Sequence, residues 1–136
     1  MKELFIAIYN KLTGATLSSL VRGQIFIGRA PKGTAYPYII FFPISDVPED
    51  TFKNKIDSVA IQFSLFSSNS SLIEIEGIYS SLIALLDDAV LTITGLTQCI
   101  LYRENTIFID EQVITPSGTE DVWHYAVDYQ IIVETT

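Results

Sequence analysis

Cys99 and His124 are the one cysteine and the one histidine of the 136-residue chain, so any thiol or imidazole chemistry would have to use them. A cysteine nucleophile needs a base within hydrogen-bond reach. These two lie far apart in sequence, each in a segment that reads as a strand. Free cysteine packs as a small hydrophobe, and Cys99 is read as a buried or half-buried residue. His124 falls on the polar side of its segment and reads as a solvent-facing histidine. One Cys and one His cannot make a zinc site of thiolate and imidazole ligands. Adjacent carboxylates occur at Glu49-Asp50, Asp87-Asp88, Asp110-Glu111 and Glu120-Asp121. Each pair could be imagined as an acid/base dyad, but each falls at a predicted turn or element end, where solvated charge accounts for it. Asp87-Asp88 fits least well, because acids at a helix C-terminus oppose its dipole, and it is placed just past the last turn. The stretch "GRAPKG" offers two glycines and two cations to an anion, yet no helix signal follows it. The chain has no Gly-rich phosphate loop, no nucleophile elbow and no kinase-like set. The reading is of a protein that is not an enzyme and carries no catalytic residue, metal or cofactor.

The elements that would position any site begin with composition. The length favours a single domain over residues 1–136, and 49% apolar residues are enough for a core. No run of about 18 uncharged apolar residues suggests a membrane span. The start, "MKELFIAIYNKL", lacks a long apolar segment and a small-residue cleavage site, so a signal peptide is not expected. One cysteine makes no internal disulfide, which fits folding in a reducing cytoplasm. Sixteen acidic residues against eight basic give a net charge of −8. That disfavours nucleic acid, whose phosphates reward dense Lys and Arg, and an anionic membrane surface. It suits a protein that stays near DNA without sticking to it.

Residues 2–12 place Leu4, Ile8 and Leu12 on one stripe with Phe5 and Tyr9 beside it, a helix that Gly14 is placed to end. A short strand is expected over Gln24–Ile27 and a loop over 28–35. Tyr38–Ser45 reads as a strand opened by Pro37. Pro43 lacks a ladder donor and is tolerable only at an edge or a bulge. A polar connection, 46–54, leads to the clearest alternation, 58–66: Val59, Ile61, Phe63 and Leu65 face one way, Ser58, Ala60, Gln62 and Ser64 the other. "SSNSSLIEIEGIYSSLIALLDD" is a helix with a capping-box pattern at Ser71 and Glu74. Its stripe is Leu72, Ile75, Tyr79, Leu82 and Leu86, and Gly77 is read as a close-packing position against the sheet. Strands follow over Thr97–Glu104, Thr106–Ile114 and Val122–Glu134. The expected core sets Val59, Ile61, Phe63 and Leu65 against Leu72, Ile75, Tyr79 and Leu82, with Trp123 or its strand neighbours nearby. The sum is an α+β fold: a mainly antiparallel β-sheet of four to five strands with two helices packed on it.

The order of these signals resembles a known family. Val21, Gly23 and Ile25 in "LVRGQIFIG", Ala30-Pro31, Pro37-Tyr38-Ile39 entering a strand, Asp46 and Pro48, the strand "VAIQFSLFS", the helix, and the final strand "WHYAVDYQIIV" together look like the tail-completion (tail-terminator, head-to-tail joining) proteins of long-tailed bacteriophages and prophages. The resemblance covers almost the whole chain. It implies a structural virion protein at the head–tail junction, made in the host cytoplasm. It implies a ring, usually a hexamer, that caps the tail tube protein, meets the head connector or head-closure protein and leaves DNA free to pass. It implies no catalytic residue and no cofactor. Other readings are a head-closure or minor capsid component on a similar scaffold, a prophage-encoded protein-binding module, and an enzyme whose site the sequence does not display.

Ring subunits must present particular edges while avoiding uncontrolled strand addition, and Pro37 and Pro43 would blunt an edge. Charge placement suggests where neighbours meet. Arg22, Arg29 and Lys32 are three of the eight basic residues and fall in one short segment. Asp46, Glu49 and Asp50 fall in another. In a cyclic ring each subunit shows different patches to its two neighbours, so these six residues are the candidate subunit interface, with the two groups expected on opposite flanks.

Overall fold

A computed structural model describes residues 2–50, 55–96 and 98–135. In chain order the elements are α1 (Lys2–Thr13), α2 (Thr16–Leu20), β1 (Ile25–Ile27), β2 (Tyr38–Pro48), β3 (Lys55–Ser67), α3 (Ile73–Leu86), β4 (Gln98–Thr115) and β5 (Gly118–Thr135). The strands form one sheet in the order β1-β2-β3-β5-β4. Only β1 and β2 run parallel, and every other neighbour pair is antiparallel. The fold is α+β, as the residue pattern predicts.

The alternation in β3 does what it promised. Val59, Ile61, Phe63 and Leu65 are all buried, and so are Tyr125, Val127, Tyr129 and Ile131, which lie opposite them on β5. This face carries the helices. Leu4, Ile8 and Leu12 of α1 and Ile75, Ile78, Leu82 and Leu86 of α3 close the core over it. Removing such side chains from water contributes about 1.5–3 kcal/mol each. Phe41 stacks on Phe63 at 5.3 Å, and Phe63 meets the edge of Tyr129 at 5.6 Å.

Several details depart from the sequence reading. A third, short helix, α2, buries Leu17 and packs against the first helix and α3. The two strands expected over 97–104 and 106–114 are one strand, whose register shifts between Arg103 and Asn105. A one-residue bulge at Glu104 breaks the alternation without ending the pairing; Thr97 lies outside the described residues. The polar connection begins later than expected, because Asp46, Val47 and Pro48 pair with Val59, Ser58 and Asp57; residues 51–54 lie outside the described ones. Asp110, Glu111, Glu120 and Asp121 are strand residues of β4 and β5, not turn residues. Both stretches carry enough polar side chains to pass for loops, because each strand has a solvated side there.

The entry to α3 also differs. The Ser71–Glu74 capping box does not form. The N-cap is Leu72, Ser71 Oγ accepts from the Ile73 N–H, and Glu74 is engaged by Ser67, whose hydroxyl donates to its Oε1 at 2.6 Å. Leu72 is 42% exposed and outside the core. Gly77 is exposed, and a Cβ there would meet nothing within 4 Å, so it is no close-packing position.

Pro37 is buried just before β2 and its carbonyl accepts from Gln24 Nε2 at 3.1 Å. Pro43 satisfies both conditions set for it. The β2–β3 register shifts between Pro43 and Ser45, a bulge at Ile44. On the other side β1 ends opposite Phe41, where the Gly28 N–H donates to the Phe41 carbonyl, so β2 beyond that point is a sheet edge.

Candidate assembly surfaces

The geometry disposes of the Cys99–His124 pair. Cys99 lies opposite Val133 on the helix-covered face, while His124 lies opposite Phe66 and Ile109 on the other face, far along β5. Burial pushes the Cys99 thiol up to about 11, so it is a protonated core residue at neutral pH. His124 is not solvent-facing. Its side chain is 13% exposed, its ring stacks on Phe66 at 4.3 Å, and Nδ1 lies 2.7 Å from Glu111 Oε1. Its Nε2 is buried, with no partner among the described residues. Among those residues no group of three or more His, Cys, Asp or Glu could hold a metal ion. No helix among the described residues is long and apolar enough to cross a membrane.

What remains are surfaces. The face of the sheet opposite the helices is covered by no helix among the described residues. At one end an aromatic ladder crosses it: Tyr36 on Tyr38 at 5.3 Å, Tyr38 on Phe66 at 4.9 Å, then Phe66 on His124 and His124 to Glu111. Burial, with Glu120 and Glu111 nearby, raises the Tyr36 hydroxyl. In the middle, Asp128 sits with Oδ1 buried and unpartnered among the described residues, and burial raises its carboxyl, helped by Glu104.

The six candidate interface residues sit on one side of the sheet. Arg22 follows α2 with φ 55°, stabilised in that left-handed turn by the Gly23 N–H bonding to Ser18 O. Arg29 and Lys32 lie in the loop after β1, and all three are exposed. Asp46 is in β2, with Glu49 and Asp50 just beyond it. Both groups therefore lie on or beside β1 and β2. No ion pair among the described residues engages Arg22, Arg29 or Lys32.

The surface that the residue pattern hid is on the other side. β3 pairs with β5 only as far as Ser67↔Trp123. The β4–β5 ladder continues for five more pairs, from Glu111↔Val122 to Thr115↔Gly118. At about 3.4 Å per residue the hairpin projects roughly 17 Å beyond the sheet. Its tip, Thr115-Pro116-Ser117-Gly118, has Pro and Gly where a four-residue turn favours them, and Gly118 takes φ 133°. That "TPSG" signal between two alternating runs was the available clue. A groove of about 450 Å³ lies at the base of the arm, lined by Ser68–Ser70, Asp110, Asp121 and Trp123.

The model of the family described as "Tail completion protein gp17" matches residues 6–134. The chain belongs to the tail completion protein gp17 family. A search of curated proteins finds no match. Among solved structures, a chain from "Virion of native gene transfer agent (GTA) particle" is similar, with 16% identity and a TM-score of 0.77 over 98% of this chain and 96% of that one. At that identity the likeness is one of fold. As a tail completion protein the chain is a structural component of a phage-type virion, and the surfaces above are its candidate working parts.

Proposed function

We propose that this tail completion protein caps the phage tail tube as a ring of six subunits and joins the tail to the head connector. Its partners are further copies of itself, the tail tube protein and the connector or head-closure protein. DNA passes through the ring without sequence-specific binding, which suits a net charge of −8. The subunit is made in the host cytoplasm and works at the head–tail junction. The observation that carries this reading is the family match across residues 6–134, supported by a fold shared with a virion chain. The β1–β2 side, with Arg22, Arg29, Lys32, Asp46, Glu49 and Asp50, is the flank offered to one neighbour in the ring. Steering and orientation, more than affinity, are what such charges supply.

Electron microscopy of the purified protein mixed with isolated tail tubes tests the reading. The expected result is a six-fold ring seated on one end of each tube, and tubes so capped that join to heads. Tubes left bare at saturating protein, or protein bound along their length, would overturn it.

A further inference from the structure

The arm of β4–β5 and the β1 flank match each other. The arm's base and sides carry Asp110, Glu111, Glu120 and Asp121, and no Lys or Arg follows Arg103 in the sequence. Of these four Glu111 meets His124 Nδ1 at 2.7 Å, and among the described residues no Lys or Arg pairs with any of them. The arm also exposes aliphatic surface, Ile114 being 88% exposed. The β1 flank has the complementary composition. Arg22, Arg29 and Lys32 stand beside Leu20 and Ile27, which are 41% and 45% exposed. Interfaces commonly join a desolvated apolar centre to a charged rim of opposite sign.

Position makes the two patches suited to different copies. β1 and β4 are the two edges of the sheet, four interstrand spacings apart, or about 19 Å at ~4.8 Å each. The arm extends beyond the end of the sheet; its Glu120 and Glu111 lie near Tyr36 of the same chain, and among the described residues no ion pair joins it to Arg22, Arg29 or Lys32. A patch at one edge that fits a different patch at the other edge makes a head-to-tail contact, which closes into a ring when the rotation permits. Edge-to-edge strand addition is not available to the same pair of flanks. Pro43 and Pro48 remove donors from the open part of β2, and the bulge at Ile44 disrupts its edge.

The geometry points to a docking contact between copies of this chain, in which the β4–β5 arm of one subunit packs Ile114 and its carboxylates against Ile27, Arg29 and Lys32 on the β1 flank of the next. This rests on the ring reading above and names the second surface that the reading leaves open.

A two-protein crosslink tests it. Ile114→Cys and Ile27→Cys are made in separate proteins, mixed with tail tubes and oxidised mildly. The native Cys99 is buried and does not compete. A disulfide between the two different variants, absent when Ile73→Cys replaces either one, is the expected result. In parallel, Asp110→Lys with Asp121→Lys should weaken self-association about tenfold or more, and Arg29→Glu with Lys32→Glu in the partner should restore it at low salt. Rings that form on tubes without the Ile27–Ile114 crosslink would overturn the contact and leave the ring reading standing. Wild-type protein that forms no ring on tubes would overturn both. Charge-reversed protein that assembles like wild type at low salt would also sink the contact.

Discussion

Tyr129 reaches out of the centre of the sheet to donate its hydroxyl to Asp87 Oδ1 at 2.6 Å, at the end of α3. The other oxygen of Asp87 holds Arg103 of β4 at 3.2 Å, and Arg103 also donates to the Tyr79 hydroxyl at 2.9 Å. One turn-end carboxylate thus ties the helix to two strands. Tyr125 makes a second strap, donating to Glu76 at 2.6 Å. Asp87 looked misplaced in the sequence because an acid at a helix C-terminus opposes the dipole; a phenol and a guanidinium offset that cost.

Tyr129→Phe removes one hydrogen bond to a charged acceptor and leaves the packing intact. The expected loss is about 1.5–3 kcal/mol, read as a lower urea midpoint at unchanged slope. A midpoint equal to wild type would show that the strap adds nothing to stability.

Alkaline pH should loosen the fold. Burial raises the Cys99 thiol from 9.0 to about 11 and raises the Tyr125 and Tyr129 hydroxyls above 10.0, with Glu76 and Asp87 adding to the effect for the two tyrosines. Each group is held protonated by the folded state more strongly than by the unfolded chain. The stability so gained is full below the unfolded values and is lost as pH rises through the folded ones. Melting temperature is expected to hold from pH 7 to 9 and fall from there toward pH 11. Cys99→Ala should make the first part of that fall shallower, and a decline that begins below pH 8 would contradict the assignment.

Phe63→Ala opens a cavity between Phe41 and Tyr129. It should cost about 3–5 kcal/mol in chemical denaturation. A variant that melts with wild type would refute the placement of that face at the core.

Gly77→Ala should do the reverse. The position is helical, exposed and open around a new Cβ, so the change restricts only the unfolded chain. A gain of about 0.5–1 kcal/mol is expected, and a loss would mean that the site is not free.

Strong periodicity made the buried side of the fold legible. β3 and β5 alternate cleanly, and α1 carries an apolar residue every fourth position, so Phe63, Val127 and Ile8 declare their environment. Where two influences compete, the pattern fails. Glu104 bulges out of β4 and shifts the phase, which made one strand read as two. Ser71 and Glu74 have the spacing of a cap, but the Ser67 hydroxyl takes Glu74 instead, a tertiary choice with no local signature. His124 sits on the polar side of its strand, yet Phe66 and Glu111 from the two adjoining strands half-bury it. The interface candidates were the least legible, because charge order along a chain does not say which sheet edge a residue occupies. Asp46 and Arg29 share a side only because β1 pairs parallel to β2, a crossover that no dipeptide announces.

The strand order carries a consequence for synthesis. β5, the last of the described elements in chain order, lies between β3 and β4 at the heart of the sheet. A ribosome delivers β3 well before its partner exists, so the nascent chain holds Val59, Ile61, Phe63 and Leu65 without their β5 neighbours until β5 follows. A product terminated before β5 lacks the middle of its sheet and one side of its arm together.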